Sequence, residues 1–228
     1  MNYLDSLPPD APRKVTSLSD LAYEKLLEAL FNRRVPAGAF MSQRDLVELL
    51  GVPVQPLRDA LKVLEAEGVV TIHPRSGIQF VQPDHQLVHN TYQFRSIIER
   101  AAARRFAEVG DEALIAEMIG EHRKLLADIE GKPFGAEALE AMSRLEKRLH
   151  DGMIESLNNP LIDTAARRLK NYVILMRLDV VMTRPFATRT IHEHLEILEA
   201  CAARDGARAE EAVASHFQGS IARMMGSF

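Results

Sequence analysis

Four residues stand at spacings that can gather around one cation. Glu146 and His150 are four apart, one helical turn, so both side chains leave the same face toward a shared point. His194 and His216 follow 44 and 66 residues after His150, each within a helical apolar pattern: His194 beside Ile191 and Leu198, His216 after Ala212 and Val213. His192 sits about 200° around the helix from His194. Its neighbours there are Glu196 and Glu199, so only His194 of the two should face a core. One carboxylate and three imidazoles suit a divalent cation such as Zn²⁺, Ni²⁺ or Mn²⁺. Taken singly, each histidine is more often a hydrogen-bonded core or surface residue than a ligand.

A second group of residues could receive what such a cation attracts. Arg95 shares a helix face with His89, Tyr92 and Glu99, and a guanidinium there is suited to holding a carboxylate. A salt bridge between Arg95 and Glu99, one turn apart, fits the same pattern, and both hold in an unliganded protein. Asn159 reads either as a helix C-cap or as a further ligand group. Three neutral imidazoles and one carboxylate leave a divalent site with residual charge near +1, and Arg95 adds to it. A small carboxylate effector bridging the cation and Arg95 is therefore the species expected.

These groups need helices to carry them. From about residue 86 the apolar period becomes 3.6 and stays so, giving six helices at about 86–109, 111–130, 136–157, 160–183, 189–204 and 207–225. Gly110, Gly131-Lys132-Pro133, Asn158-Asn159-Pro160, Arg184-Pro185 and Asp205-Gly206 separate them. The joints are short, so consecutive helices are expected to pack as antiparallel neighbours in an all-helical bundle.

The residues before this bundle follow a different grammar. Ser42 with Asp45 predicts an N-cap ahead of Leu46, Val47, Leu49 and Leu50, and Gly51 a left-handed stop. After a turn over 51–54, Pro56 opens a second helix whose stripe is Leu57, Leu61 and Leu64. Gln55, Arg58 and Lys62 line another face, where they can meet base edges or phosphates. Val69 to Ile72 should pair with Ile78 to Val81 around His73-Pro74-Arg75-Ser76-Gly77, placing Arg75 at the tip of a wing. Helical periodicity alone would make that polar face merely solvated, but helix, turn, helix and hairpin in succession describe a winged helix-turn-helix. An earlier helix, capped by Ser17 or Ser19, carries Leu21, Leu26, Leu27 and Leu30. The Arg33-Arg34 pair behind it either meets phosphate or ends the helix in solvent.

The expected fold is thus mainly α: a flexible arm over 1–16, a winged helix-turn-helix over 17–82, a linker over 83–89 and a helical effector-binding domain over 90–228. Net charge is -4, and residues 1–84 hold nine Lys/Arg against eleven Asp/Glu, so DNA binding must rest on charge placement. The single cysteine, Cys201, excludes an intrachain disulfide and fits a reducing cytoplasm. No apolar run approaches the roughly 20 residues of a membrane span, so a cytoplasmic protein without a membrane partner is expected.

Residues 21–80 resemble the GntR family of bacterial transcription regulators. The resemblance is carried by Tyr23, Pro36-Ala37-Gly38, Arg44-Asp45-Leu46, Leu50-Gly51-Val52, Pro56-Leu57-Arg58-Asp59-Ala60-Leu61, Leu64, Glu67-Gly68-Val69-Val70 and Gly77. It implies DNA contacts from Arg44, Arg58, Lys62 and Gly77. Where the family usually has Ser-Arg-Thr, this chain has Pro53-Val54-Gln55, losing a capping hydroxyl and a DNA-facing arginine. Residues 90–225 resemble the FadR-type effector domain of the same family, the six helices looking like the VanR-type subgroup. In that domain Asp-x-x-x-His and two later histidines bind a divalent metal, which implies Glu146, His150, His194 and His216 here, with Glu146 in place of the usual Asp.

The expected protein is a homodimeric, ligand-responsive regulator that binds a two-fold double-stranded operator, the resemblance implying repression released by effector. Two rival readings use the same residues: a hydrolytic metal site, for which Glu99 is the one inward carboxylate that could act as base, and a structural metal that stiffens the bundle.

Overall fold

Local capping decides where the amino-terminal helices begin and end. The computed structural model describes residues 17–177 and 181–226, so the arm expected over 1–16 lies outside the described residues. Helix α1, Leu18–Phe31, starts where Ser17 accepts a hydrogen bond from the Asp20 backbone N–H. Helix α2, Gln43–Leu50, has a complete capping box: the Asp45 N–H donates to Ser42 Oγ and the Ser42 N–H to Asp45 Oδ2. Gly51 ends it at φ 62°, a left-handed value that glycine adopts without steric penalty. Arg34 and Lys25 then donate to the Leu49 and Leu50 carbonyls, so Arg34 serves a helix end.

Helix α3, Val54–Ala66, takes Val54 from the expected turn and starts without a side-chain cap, because Pro53 has none to offer. Leu57, Ala60, Leu61 and Leu64 are buried, and burying each leucine contributes about 1.5–3 kcal/mol. The wing pairs β2, Val70–His73, with β3, Gly77–Phe80, in the antiparallel register Val70↔Phe80 and Ile72↔Ile78. An unexpected strand β1, Phe40–Met41, pairs with the other edge of β3. That strand explains Gly77: its φ is 153°, and a Cβ there would lie 2.7 Å from the Met41 carbonyl oxygen.

Contacts divide the chain into two units, with the boundary between Asp84 and His85. Helix α4, His85–Val109, therefore begins inside the segment expected to be a linker over 83–89. The remaining helices are α5, Glu112–Gly131; α6, Ala136–Glu155; α7, Pro160–Arg177; α8, Arg184–Ala202; and α9, Gly206–Met225. Residues 181–183 are not helical, which shortens the helix expected over 160–183, and residues 178–180 lie outside the described residues. Arg184-Pro185, read from sequence as a break, instead opens α8. Thr183 Oγ1 caps it, and proline is tolerated in a first turn that needs no intrahelical donor.

Helix α4 is the centre of the bundle, lying against α9, α6, α7 and α8. The expectation that every consecutive pair would be neighbours holds for α5 with α6 and α8 with α9, but fails for α4 with α5. The main core gathers Val88, Tyr92, Phe106, Met118, Leu149, Met153, Ile197, Leu198 and Phe217. A second cluster, including Leu125, Ile129, Met142, Leu145 and Ile191, lies between α5, α6 and α8. Among the described residues, no helix is long and apolar enough to cross a membrane.

Candidate functional site

Helices α6, α8 and α9 bring His150, His194 and His216 together. One ring nitrogen of each lies within 4.8 Å of the others, the residues being 6%, 0% and 1% exposed. The Nε2 atoms are buried without a hydrogen-bond partner, while every Nδ1 is engaged. His150 Nδ1 meets Glu99 Oε2 in a short contact, and His216 Nδ1 is 2.9 Å from Glu193 Oε2. His194 Nδ1 is 3.3 Å from His122 Nε2 on α5.

The third contact determines a tautomer. His122 Nδ1 lies 2.7 Å from the Met118 carbonyl oxygen, which can only accept, so that nitrogen carries the proton. His122 Nε2 must then accept, His194 donates from Nδ1, and the His194 Nε2 lone pair faces the cluster. Burial lowers the pKa of His122, His194 and His216, favouring the neutral rings.

Glu146, one turn before His150, is buried beside them. Its carboxylate oxygens are 3.6 Å from His150 Nε2 and 3.5 Å from His194 Nε2, and Arg177 of α7 pairs with it. Burial raises the Glu146 pKa, but Arg177 and the imidazoles outweigh this and hold it well below the carboxylate range. An anion facing two imidazole lone pairs at these distances is repulsive unless positive charge lies between them. Two donors about 2.1 Å from one ion in tetrahedral arrangement stand roughly 3.4 Å apart. The three imidazoles, with ring nitrogens within 4.8 Å of one another and Nε2 atoms unpartnered, fit a divalent cation; Glu146, paired with Arg177, lies beside that group rather than within it.

Arg95, Tyr92 and Glu99 come from the central helix. Arg95 Nε donates to Glu99 Oε1 at 2.7 Å, and its guanidinium packs on the Phe217 and Tyr92 rings. Arg95 Nη1 is buried without a partner. Burial raises the Glu99 pKa, but Arg95 and His150 outweigh it and bring it to about 2. Glu99 thus holds both the arginine and a ring of the cluster, so it is not an uncommitted base. His89 is exposed and takes no part. Asn159 does not cap the preceding helix; its Oδ1 accepts from the Leu161 N–H at the start of α7.

Sequence reasoning missed His122, Arg177 and Glu193 as partners of the cluster. His122 had a signal: it lies four residues after Met118 and three before Leu125, on the buried stripe of α5.

On the amino-terminal unit, Arg44, Gln55, Arg58, Lys62 and Arg75 are all exposed. Arg58 Nε donates to Gln43 Oε1 at 3.0 Å, tying α3 to α2, and Gln55 donates to Asp59. Lys62 is 3.9 Å from Asp59, a loose solvent-exposed pair. Val54, where the resemblance would place arginine, is 45% exposed.

A winged helix-turn-helix on one unit and a histidine-lined helical bundle on the other define a two-domain DNA-binding regulator. The chain belongs to the gntR family of bacterial regulatory proteins, whose domain matches residues 18–80, and its bundle is an FCD domain matching residues 90–219. It is a transcription regulator in which a DNA-binding domain is joined to an effector-binding domain. The HTH-type transcriptional regulator YdhC of Bacillus subtilis (strain 168) is 21% identical over 198 residues, spanning 86% of this chain and 85% of that one. A GntR transcriptional regulator from Rhodococcus sp. RHA1 has the same fold, with TM-score 0.72 and 20% identity over 93% of this chain and 100% of its own. Escherichia coli McbR/YncC follows with TM-score 0.70 and 18% identity, over 92% and 98% of the two chains.

Proposed function

We propose that this regulator is a cytoplasmic homodimeric repressor whose bundle senses a small carboxylate through a divalent cation, Zn²⁺, Ni²⁺ or Mn²⁺. His150, His194, His216 and Glu146 hold the ion, and Arg95, with Tyr92 beside it, receives the carboxylate. The observation that carries this reading is the convergence of three buried, unpartnered Nε2 atoms, each fixed from behind through Nδ1. Glu99 acts as a clamp on Arg95 and His150. Asn159 is an effector contact only if binding draws it away from its cap on α7. The bound ion supplies positive charge that attracts an anion; the protein supplies the orientation.

Operator binding is assigned to Arg44, Gln55, Arg58, Lys62 and Arg75, with Gly77 allowing the close approach of β1 to the wing. Two-fold operators require two copies, and Phe94 and Ile97, 44% and 68% exposed on α4, support self-association. Effector binding would favour one arrangement of the bundle and thereby shift the population competent for DNA.

Calorimetry with a panel of small carboxylates, on wild type, Arg95→Ala and His194→Ala with metal content quantified, tests the assignment. His194→Ala should lose metal and effector response together, whereas Arg95→Ala should weaken effector binding and keep metal. Full metal occupancy in His194→Ala overturns the site; effectors that are all uncharged overturn the carboxylate.

A further inference from the structure

The first turn of α3 differs in chemistry from the rest of its outward face. Successive helical residues turn by about 100°, so Val54, Arg58, Lys62 and Gln55 fall on one arc, away from the buried stripe of Leu57, Ala60, Leu61 and Leu64. Positive charge on this arc begins only at Arg58. Val54, the first residue of the helix, is 45% exposed and presents only methyl groups. The first residues of a recognition helix are the ones that reach base edges in the major groove. The apolar group displayed there is the C5 methyl of thymine.

Gln55 has an orientation of its own. Its Nε2 lies 3.2 Å from Asp59 Oδ1 and 3.3 Å from Asp59 Oδ2, one turn along the helix. A carboxylate only accepts, so the amide nitrogen is the atom turned toward Asp59, and an N–H is spent there. What remains is one N–H beside the carbonyl oxygen. A guanine edge offers two acceptors, N7 and O6, and calls for two donors. An adenine edge sets an acceptor, N7, beside a donor, the N6 amino group, and complements what Gln55 has left. Arg58 differs: Nε is committed to Gln43 Oε1, yet both terminal nitrogens keep N–H groups for the two acceptors of guanine.

We infer that the first turn of α3 reads A·T pairs in each operator half-site, Val54 packing on a thymine methyl and Gln55, oriented by Asp59, bonding adenine N7 and N6. This rests on the assignment of the α3 face to operator binding above.

The test starts from duplexes selected out of a random pool by the full chain. Affinity is then measured by fluorescence anisotropy on a selected duplex with each thymine replaced in turn by deoxyuridine, which lacks the methyl, and each adenine by 7-deazaadenine, which lacks N7. In wild type, one deoxyuridine position per half-site should weaken binding about fourfold, the value of one buried methyl group. One 7-deazaadenine position should weaken it about fivefold or more. Val54→Ser should abolish the first effect alone and Gln55→Ala the second alone; both side chains are exposed, so neither change touches the core. Asp59→Ala, which releases the amide, should reduce the preference for adenine over guanine at the pair that Gln55 reads. Base-analogue effects that are the same in wild type and in these variants overturn the inference, and if Arg58→Ala still weakens binding they leave the α3 assignment standing. If Arg58→Ala, Val54→Ser and Gln55→Ala all bind the duplex as wild type does, the α3 assignment falls and takes the inference with it.

Discussion

The polar face of α3 and the histidine cluster of the bundle hold their side chains in opposite ways. Arg58 and Lys62 are exposed, and their contacts with Gln43 and Asp59 lie in high dielectric, where they are worth little. His150, His194 and His216 are buried, and every Nδ1 is committed to a neighbour that points Nε2 inward. On α3 the partner must supply the desolvation and the final geometry. In the bundle the protein has supplied both. Substitutions behind the cluster should therefore act through orientation, whereas those on α3 should act through single contacts and depend on salt.

The largest effect that sharpens this contrast is expected at His122. Replacing it with phenylalanine keeps a ring but removes the acceptor that fixes the His194 tautomer, and zinc affinity should fall about 10- to 100-fold. His122→Gln, which restores an acceptor, should recover much of the loss. Equal affinities for the wild type and His122→Phe in competition with a chromophoric chelator would remove His122 from the site. Next, Arg58→Ala should cost about 1 to 3 kcal/mol of operator binding with the fold intact, read by gel shift at moderate salt.

Gly77→Ala separates a packing role from a DNA contact. A Cβ would collide with the Met41 carbonyl, so thermal stability of the amino-terminal unit should fall by roughly 1–3 kcal/mol. Unchanged stability with weakened DNA binding would make the contact role primary. The smallest effect belongs to Lys62→Ala, which should lower the salt dependence of operator binding by about one counterion and treat all sequences alike. A sequence-specific loss there would move Lys62 from phosphate to base contact.

Features written in adjacent residues were legible from the sequence. The Ser42–Asp45 capping box, the Gly51 stop and the buried stripe of α3 are each decided within a few residues, as was the outward face of His192. Strand β1 was not, because two residues carry no alternation and its pairing with β3 spans the unit. The start of α8 was misread because Arg184-Pro185 looks like a breaker unless Thr183 is seen as its cap. Spacing identified the cluster's own members, but the relay from Met118 through His122 to His194 depends on α5 lying against α8. Arg177 was hidden for the same reason: only the fold brings α7 to Glu146.

Cobalt titration of the metal-stripped full chain, followed by absorption and by proton NMR, tests the cluster most directly. The expected result is one ion per chain with three exchangeable, paramagnetically shifted imidazole N–H resonances, from the Nδ1–H groups of His150, His194 and His216. Fewer than three such resonances, or a cobalt spectrum unchanged by His194→Ala, would contradict it.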